Sequence, residues 1–412
     1  MPPKKQNVKQ SDASIPSATD NAEDYAAELI KQLNREAGEK VAFNLGDDDA
    51  PTTVKRWVST GSKLLDYVIS NRRGGGFPEG RIIEIQGPPS CGKSHLAFEA
   101  AKSVQAMGGV AVYIDTENAT SPENLKNLGL DVKKNFVFIQ TNCTEEVFKW
   151  AETAILKCRA MNNAQGKDVP MVIIWDSVAA CSPKAELEGN YEDNSIGLQA
   201  RVLSKGMRKI SNIIANEKVI LLLINQQRMK IGVMYGDPTT TPGGAAIPYA
   251  SSVRLRVMTG QPIKAEKDRV VGINVEVKCI KNKVAKPFRS AELSIIFGKG
   301  VVDDEQTFDV LRAYCDTKGP VIVGGKRLVI EGTGAWKTFS VTDDATGEVL
   351  HEVKFNKSDF RAKVLSVPQY QGYIADLLDE AMIMGNDDTD HASYKGADAS
   401  SLEEMRKQEN SG

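Results

Sequence analysis

The chain has 412 residues, 41% of them hydrophobic and 26% charged, with a formal net charge of −2. That length allows two to three domains with ample cores, and no apolar run approaches the ~20 residues of a membrane helix. Six scattered cysteines without a C-x-x-C pair, and only three histidines, speak against disulfide and zinc frameworks. The start, Met1–Gln6, lacks a secretory signal, so a reducing, cytoplasmic setting is expected.

In chain order, residues 1–22 are polar and Ser/Asp/Pro-rich and read as a disordered tail. Ala22–Ala37 places Tyr25, Leu29, Ile30 and Leu33 on one helical stripe, with Gly38 as the stop. Thr60-Gly61-Ser62 opens a short helical segment through Leu64 and Leu65. From Arg81 strands at 81–86, 110–115, 135–140, 171–176 and 219–225 alternate with helices at 94–107, 120–128, 144–161 and 197–215. Short apolar strands separated by helices predict an α/β fold with a mostly parallel, covered sheet, whose ligands bind beyond the carboxyl ends of the strands. After Tyr249 the pattern becomes β-rich, at 251–258, 270–280 and 290–296. A smaller region of mixed signals, 304–385, follows, and residues 386–412 read as a flexible acidic tail. The near-neutral total hides an uneven distribution. Residues 196–260 hold nine basic and two acidic side chains, a net of +7, whereas 385–412 hold three and seven, a net of −4.

Between the first strand and helix of the alternating region runs Gly87-Pro88-Pro89-Ser90-Cys91-Gly92-Lys93-Ser94, a complete G-x-x-x-x-G-K-[ST] loop. In a strand–loop–helix setting its backbone N–H groups wrap a β-phosphate at the helix N-terminus, where the dipole favours anions. Lys93 then reaches the β- and γ-phosphates, and Ser94 places its hydroxyl on Mg²⁺. A bound nucleoside triphosphate is predicted. The strand Met171–Trp175 ends in Asp176, the carboxylate expected to hold Mg²⁺ through water in such a site; the bland reading is a capping Asp. The strand 110–115, placed next to the loop strand, ends in Asp115-Thr116-Glu117. Glu117 reads either as the base that activates an attacking water or as a solvated loop acid. The strand 219–224 ends in Asn225-Gln226, and Gln226 is placed to sense a γ-phosphate. Residues 227–244 form a long Gly/Thr/Pro-rich segment with Arg228 and Lys230. A surface lid and a DNA-backbone contact are equally open readings of it. Lys281-Asn282-Lys283 alone reads as a solvated turn.

These motifs occur with Ser59-Thr60-Gly61-Ser62, Ile196-Gly197-Leu198-Gln199-Ala200-Arg201, the run Asn225–Gly236, Lys281–Phe288 and Gly332-Thr333-Gly334-Ala335-Trp336. Through them the chain resembles the bacterial RecA recombinase family, densely from about 55 to 305. The resemblance implies a RecA-like P-loop ATPase core at 58–303 and a helix-containing oligomerisation segment at 23–57. It also implies a smaller α+β C-terminal domain at 304–385. It implies ATP and Mg²⁺ as cofactors, and a cytoplasmic homo-oligomer, a helical filament, on single-stranded DNA that pairs with homologous double-stranded DNA. No membrane is involved.

By the same resemblance, Glu117 activates water, Gln226 reads the γ-phosphate, and Lys93 completes the catalytic set. Residues 87–94 hold the nucleotide, and Ser94 and Asp176 hold the metal. Lys281 and Lys283 reach the ATP of the neighbouring protomer. Residues 189–196 and 227–244 match two DNA-facing loops, with Ile196, Arg201, Ser204, Arg208, Arg228, Met229, Lys230, Gly243 and Gly244 as DNA-binding positions. The chain departs from the family at six positions. Asn124 and Ser121 replace an aromatic residue and an acid at the purine, and Pro242, Ala245 and Pro248 replace more polar residues. Cys91 sits inside the phosphate loop. A ring-forming helicase and a non-enzymatic ATP- and DNA-binding regulator are the rival readings. The loop at 229–232 speaks against the first, and Glu117 with Gln226 against the second.

Overall fold

The structure, a computed structural model, describes residues 20–46, 50, 52–190, 197–229, 239–265 and 268–385. The expected acidic tail, nearly all of the expected disordered N-terminus, and the DNA-binding candidates Ile196 and Lys230 lie outside the described residues. The chain divides into two units, residues 1–55 and 56–412. The first contains α1 (Asp20–Ala37), close to the expected helix. Asn34 ties α1 to the segment after it: its Oδ1 accepts from the backbone N–H groups of Val41 and Ala42, both at 2.7 Å. The stripe of Tyr25, Leu29 and Leu33 is exposed.

The second unit opens with β1 (Trp57–Val58), α2 (Lys63–Ser70), β2 (Phe77–Pro78), β3 (Ile82–Gly87) and α3 (Lys93–Ala106). There follow β4 (Val110–Asp115), α4 (Pro122–Asn127), β5 (Phe136–Gln140), α5 (Thr144–Gln165), β6 (Met171–Asp176), α6 (Lys184–Glu188) and α7 (Leu198–Asn216). Next come β7 (Ile220–Gln226), β8 (Arg228–Met229), β9 (Thr239–Thr240), α8 (Ala246–Ala250), β10 (Val253–Lys264), β11 (Val270–Asn282), β12 (Ser290–Ile296) and β13 (Gly300–Val302). The C-terminal part holds α9 (Asp304–Lys318), β14 (Val321–Val323), β15 (Lys326–Glu331), β16 (Trp336–Asp343), β17 (Val349–Asn356) and α10 (Pro368–Met382).

Nine strands form one sheet in the order β13-β12-β11-β10-β3-β7-β6-β4-β5. From β10 to β5 all neighbours are parallel; β11, β12 and β13 extend the sheet antiparallel. Side chains of period two alternate between faces, and the two cores follow that rule. Ile83, Ile85, Ala111, Tyr113, Val172, Ile174, Leu222 and Ile224 pack with α2 and α3 on one face. Ile82, Val112, Ile114, Ile173, Trp175, Leu221 and Leu223 pack with α5 and α7 on the other. Strands buried on both faces have to be apolar throughout, which explains the short hydrophobic runs. The fold is therefore the expected α/β class. In the C-terminal part β14–β17 form an antiparallel sheet against α9 and α10, with Phe308, Phe355 and Phe360 in mutual ring contact.

Several elements differ from expectation. Helix α5 continues beyond 161 to Gln165, because Asn162 is buried in it and the left-handed stop comes only at Gly166 (φ +60°). β10 runs to Lys264, with irregular pairing to β11 between Thr259 and Pro262 that absorbs the proline. The segment after Gln226 contains the β8–β9 ribbon and α8 follows it, none of which shows in the sequence periodicity. β4 is not next to β3: β7 and β6 lie between them.

Candidate nucleotide site and nucleic-acid surface

Parallel register puts four strand ends side by side, with Gly87 opposite Gln226 and Asp115 opposite Asp176. Every nucleotide candidate of the core other than Lys281 and Lys283 sits on or just beyond these carboxyl ends. The loop from β3 enters α3 through Gly92, which has φ +92° and would bring an added Cβ within 2.0 Å of Ile295 Cδ1. Only glycine fits there. The Lys93 ammonium donates to the carbonyl oxygens of Pro88 at 2.6 Å and Gly87 at 3.3 Å, which holds it at the loop mouth. Cys91 is fully buried below, and burial pushes its thiol pKa up.

Ser94 Oγ donates to Asp176 Oδ2 at 2.6 Å, and the Tyr113 hydroxyl donates to the same oxygen at 2.7 Å. Burial raises the pKa of Asp176 despite these two donors. A desolvated carboxylate beside a hydroxyl favours a nearby cation. Among the described residues no group of three or more His, Cys, Asp or Glu side chains could hold a metal by itself. Two hard oxygen donors fit Mg²⁺, which keeps waters and shares its shell with phosphates.

Although β4 is not the neighbour of β3, Glu117 still reaches the site. Asp115, buried at the strand end, accepts from the backbone N–H groups of Glu117 (3.0 Å), Asn118 (2.9 Å) and Thr120 (3.1 Å). That turn aims Glu117 at its neighbours: its Oε1 accepts from Ser177 Oγ and, at 2.9 Å, from Gln226 Nε2. The base and sensor candidates, 109 residues apart in sequence, are thus directly bonded. Behind Gln226, Asn225 Nδ2 donates to Glu84 Oε1 (3.0 Å) and to the Pro242 carbonyl (3.3 Å), and Glu84 is salt-bridged to Arg254.

A cleft in two compartments lies above these groups. One, of about 490 Å³, is lined by loop residues 89–90 and 92–94 with Glu117, Asp176 and Gln226. The other, of about 340 Å³, is lined by Thr120, Ser121, Asn124, Leu125, Leu128 and Gly298 among others. Ser94, His95, Phe98, Glu117, Asp176 and Phe297 border both. The sequence reading missed Tyr113, Ser177, His95 and Phe297. Tyr113 had a signal: it stands two residues before Asp115, on the same face of β4. Ser177 directly follows Asp176. His95 and Phe297 had none, since a histidine after the loop and a phenylalanine in a turn carry no pattern.

Lys281 and Lys283 are not brought to this cleft. Lys281 pairs with Arg254, which pairs in turn with Glu84, three residues before the strand end at Gly87. At about 3.3 Å per residue this puts it roughly 10 Å below the phosphate loop, with Lys283 farther down, where its N–H bonds the Ser252 carbonyl. The Lys281 ammonium donates to the carbonyls of Pro248 and Tyr249. Burial first, then the charge of Lys283, lowers its pKa.

Five of the DNA-binding candidates, Arg201, Ser204, Arg208, Gly243 and Gly244, are brought together at α7. Arg201, Ser204 and Arg208 share a stripe of α7, and both arginines are exposed. Gly243 (φ +95°) and Gly244 (φ +64°) turn against the same helix, with positions for a Cβ 2.8 Å from Leu203 and 3.5 Å from Ala200. Arg228 and Met229 form β8, paired with β9.

The model of the RecA N-terminal domain matches residues 25–302 of this chain. Protein RecA of Macrococcus caseolyticus (strain JCSC5402) is 39% identical over 328 residues, covering 79% of this chain and 83% of that protein. Protein RecA of Staphylococcus carnosus (strain TM300) is 37% identical over 326 residues, covering 79% and 83%. That of Staphylococcus aureus (strain JH9) is 37% identical, covering 79% and 85%. Among the described residues no helix is long and apolar enough to cross a membrane. With a phosphate loop, the Asp176 carboxylate beside it and the bonded pair of Glu117 and Gln226 above it, the chain belongs to the RecA family of ATP- and DNA-binding proteins of recombination and repair.

Proposed function

We propose that the chain is an ATP-dependent homologous recombinase that assembles as a filament on single-stranded DNA and exchanges it with a matching duplex. DNA stimulates its ATP hydrolysis. The observation that carries this reading is the bond from Gln226 to Glu117 above the phosphate loop. It joins the hydrolytic base to the strand that leads into the DNA-facing segment. Lys93 and the loop N–H groups bind the β- and γ-phosphates, and Ser94 and Asp176 hold Mg²⁺, which when bound neutralises charge on the phosphates. Glu117 takes a proton from the attacking water. Gln226 and Ser177 both donate to its carboxylate. When Gln226 turns its amide to a γ-phosphate oxygen, it releases Glu117 to the attacking water. The same turn pulls on the start of β8, whose segment faces the DNA, and couples nucleotide to DNA.

Arg201, Ser204, Arg208, Arg228, Met229, Gly243 and Gly244, with Ile196 and Lys230, contact the DNA backbone and leave base edges free for pairing. Binding is then weakly sequence-dependent and strongly salt-dependent. Lys281 and Lys283 complete charge compensation on the nucleotide of an adjacent protomer. The test is ATP hydrolysis with and without single-stranded DNA, with negative-stain images of the same samples. Stimulation together with helical filaments is expected; DNA-independent turnover by rings or lone protomers would overturn the reading.

A further inference from the structure

We propose that His95 is a nucleotide-binding residue that donates a hydrogen bond to the α-phosphate, a contact that rests on the nucleotide-site reading above. The cleft geometry points to it. A triphosphate whose β- and γ-groups lie against Lys93, Ser94 and Gln226 has to leave the phosphate compartment through the neck to bring its base to Ser121 and Asn124. Six residues border both compartments, and the α-phosphate passes among them. Their chemistry leaves one donor. Ser94 and Asp176 are bonded to each other, at the metal position. Glu117 is anionic and already accepts from Ser177 and Gln226. Phe98 and Phe297 offer no polar atom. His95 is half-buried, and its imidazole makes no hydrogen bond with another described residue. Phe98 holds the ring edge-on, with centroids 6.5 Å apart at 63°. A neutral imidazole carries one N–H and a charged one two, so the contact needs no particular protonation state. The far compartment presents Ser121 and Asn124 in place of a stacking aromatic, so an anchor at the α-phosphate supplies hold that the base end does not.

The experiment measures affinities for Mg-ATP and for the two diastereomers of Mg-ATPαS, with sulfur on one or the other non-bridging α-oxygen, in the wild type and in His95→Ala. A direct contact to one α-oxygen makes the wild type prefer one diastereomer. The variant should bind ATP about tenfold more weakly, as expected for one hydrogen bond to a charged group, and show no diastereomer preference. Circular dichroism should be unchanged. A wild type that does not distinguish the diastereomers, or a variant that keeps wild-type ATP affinity or the wild-type preference, would overturn the proposal while leaving the nucleotide site intact. Failure of the wild type itself to bind ATP would instead overturn the site.

Discussion

The role proposed for Glu117 rests on one neighbour in sequence, Asp115, and two remote groups, Ser177 and Gln226. Asp115 fixes its backbone, and Ser177 and Gln226 hold its carboxylate above Lys93 and Ser94. Replacement by glutamine keeps an oxygen that accepts from both partners, so Glu117→Gln should fold and bind ATP and DNA as the wild type does. Without a base, kcat should fall by about 10²–10³, within the usual worth of a positioned proton acceptor. Steady-state hydrolysis set beside nucleotide and DNA affinities separates the two effects; normal turnover in this variant would remove Glu117 from the chemistry. Lys93 differs in kind, since its ammonium is held at the loop mouth by the carbonyls of Gly87 and Pro88 and the Cys91 sulfur, with no carboxylate partner among the described residues. Lys93→Ala should therefore lose productive ATP binding with little change in thermal midpoint.

At the scale of elements, α2 carries a titration that the sequence does not announce. Asp66 is buried beneath the Ser59–Ser62 turn and accepts from Ser59 Oγ (2.6 Å), Thr60 N–H (2.7 Å) and Thr60 Oγ1 (2.8 Å). Burial outweighs those donors and raises its pKa from 3.8 to about 7. A carboxyl whose folded pKa is raised keeps a proton that the unfolded chain has released, so stability falls as pH rises from about 4 to 7 and levels off above. Asp66→Asn removes that loss. Its thermal midpoint relative to the wild type should be higher at pH 8 than at pH 5, and a difference independent of pH would contradict the assignment. Most elements were legible because each has a single periodicity. β4 and β6 occupy the expected residues, and α3 and α7 begin one residue from expectation, since an apolar run followed by an amphipathic one leaves little freedom. Strand order was not legible. Placing β4 beside β3 was a guess from sequence adjacency, and the crossovers put β7 and β6 between them. The β8–β9 ribbon and α8 are too short to show a period, and α8 contains Pro248, a residue that disfavours helix in its interior. Within the site, loop and strand-end residues could be read because chemistry is written locally there. The bond between Glu117 and Gln226 could not, since it exists only once the sheet is ordered.

Across the whole molecule, the nucleotide groups and the lysine pair stand at different levels of the same sheet, the first at the carboxyl ends of β3, β4, β6 and β7 and the second at the end of β11. Glu84, at the level of Lys281, is fully buried and paired with Arg254, and its charge only partly offsets the lowering of the Lys281 pKa. Lys281 and Lys283 repel each other, and Lys281 is further depressed by burial. Two such neighbouring cations, Lys281 held on carbonyl oxygens and Lys283 exposed beside it, become favourable when a polyanion outside the protomer meets them. In the filament proposed above, the nucleotide of the adjacent protomer would supply that polyanion. ATP binding and assembly are then linked, and each must strengthen the other by the same factor. Lys281→Ala should leave the folded protomer within about 1 kcal/mol of the wild type, because it removes a partly exposed side chain whose hydrogen bonds go to two carbonyls of α8, Pro248 and Tyr249. ATP binding at low protein concentration, where protomers are apart, should be unchanged. ATP-dependent filament length and DNA-stimulated hydrolysis should both fall, the latter about tenfold. Sedimentation and electron microscopy at rising protein concentration read the first effect, and steady-state assays read the second. Wild-type filament length with ATP in this variant would place the lysines outside the inter-protomer site and return them to the solvated turn that the sequence alone suggests.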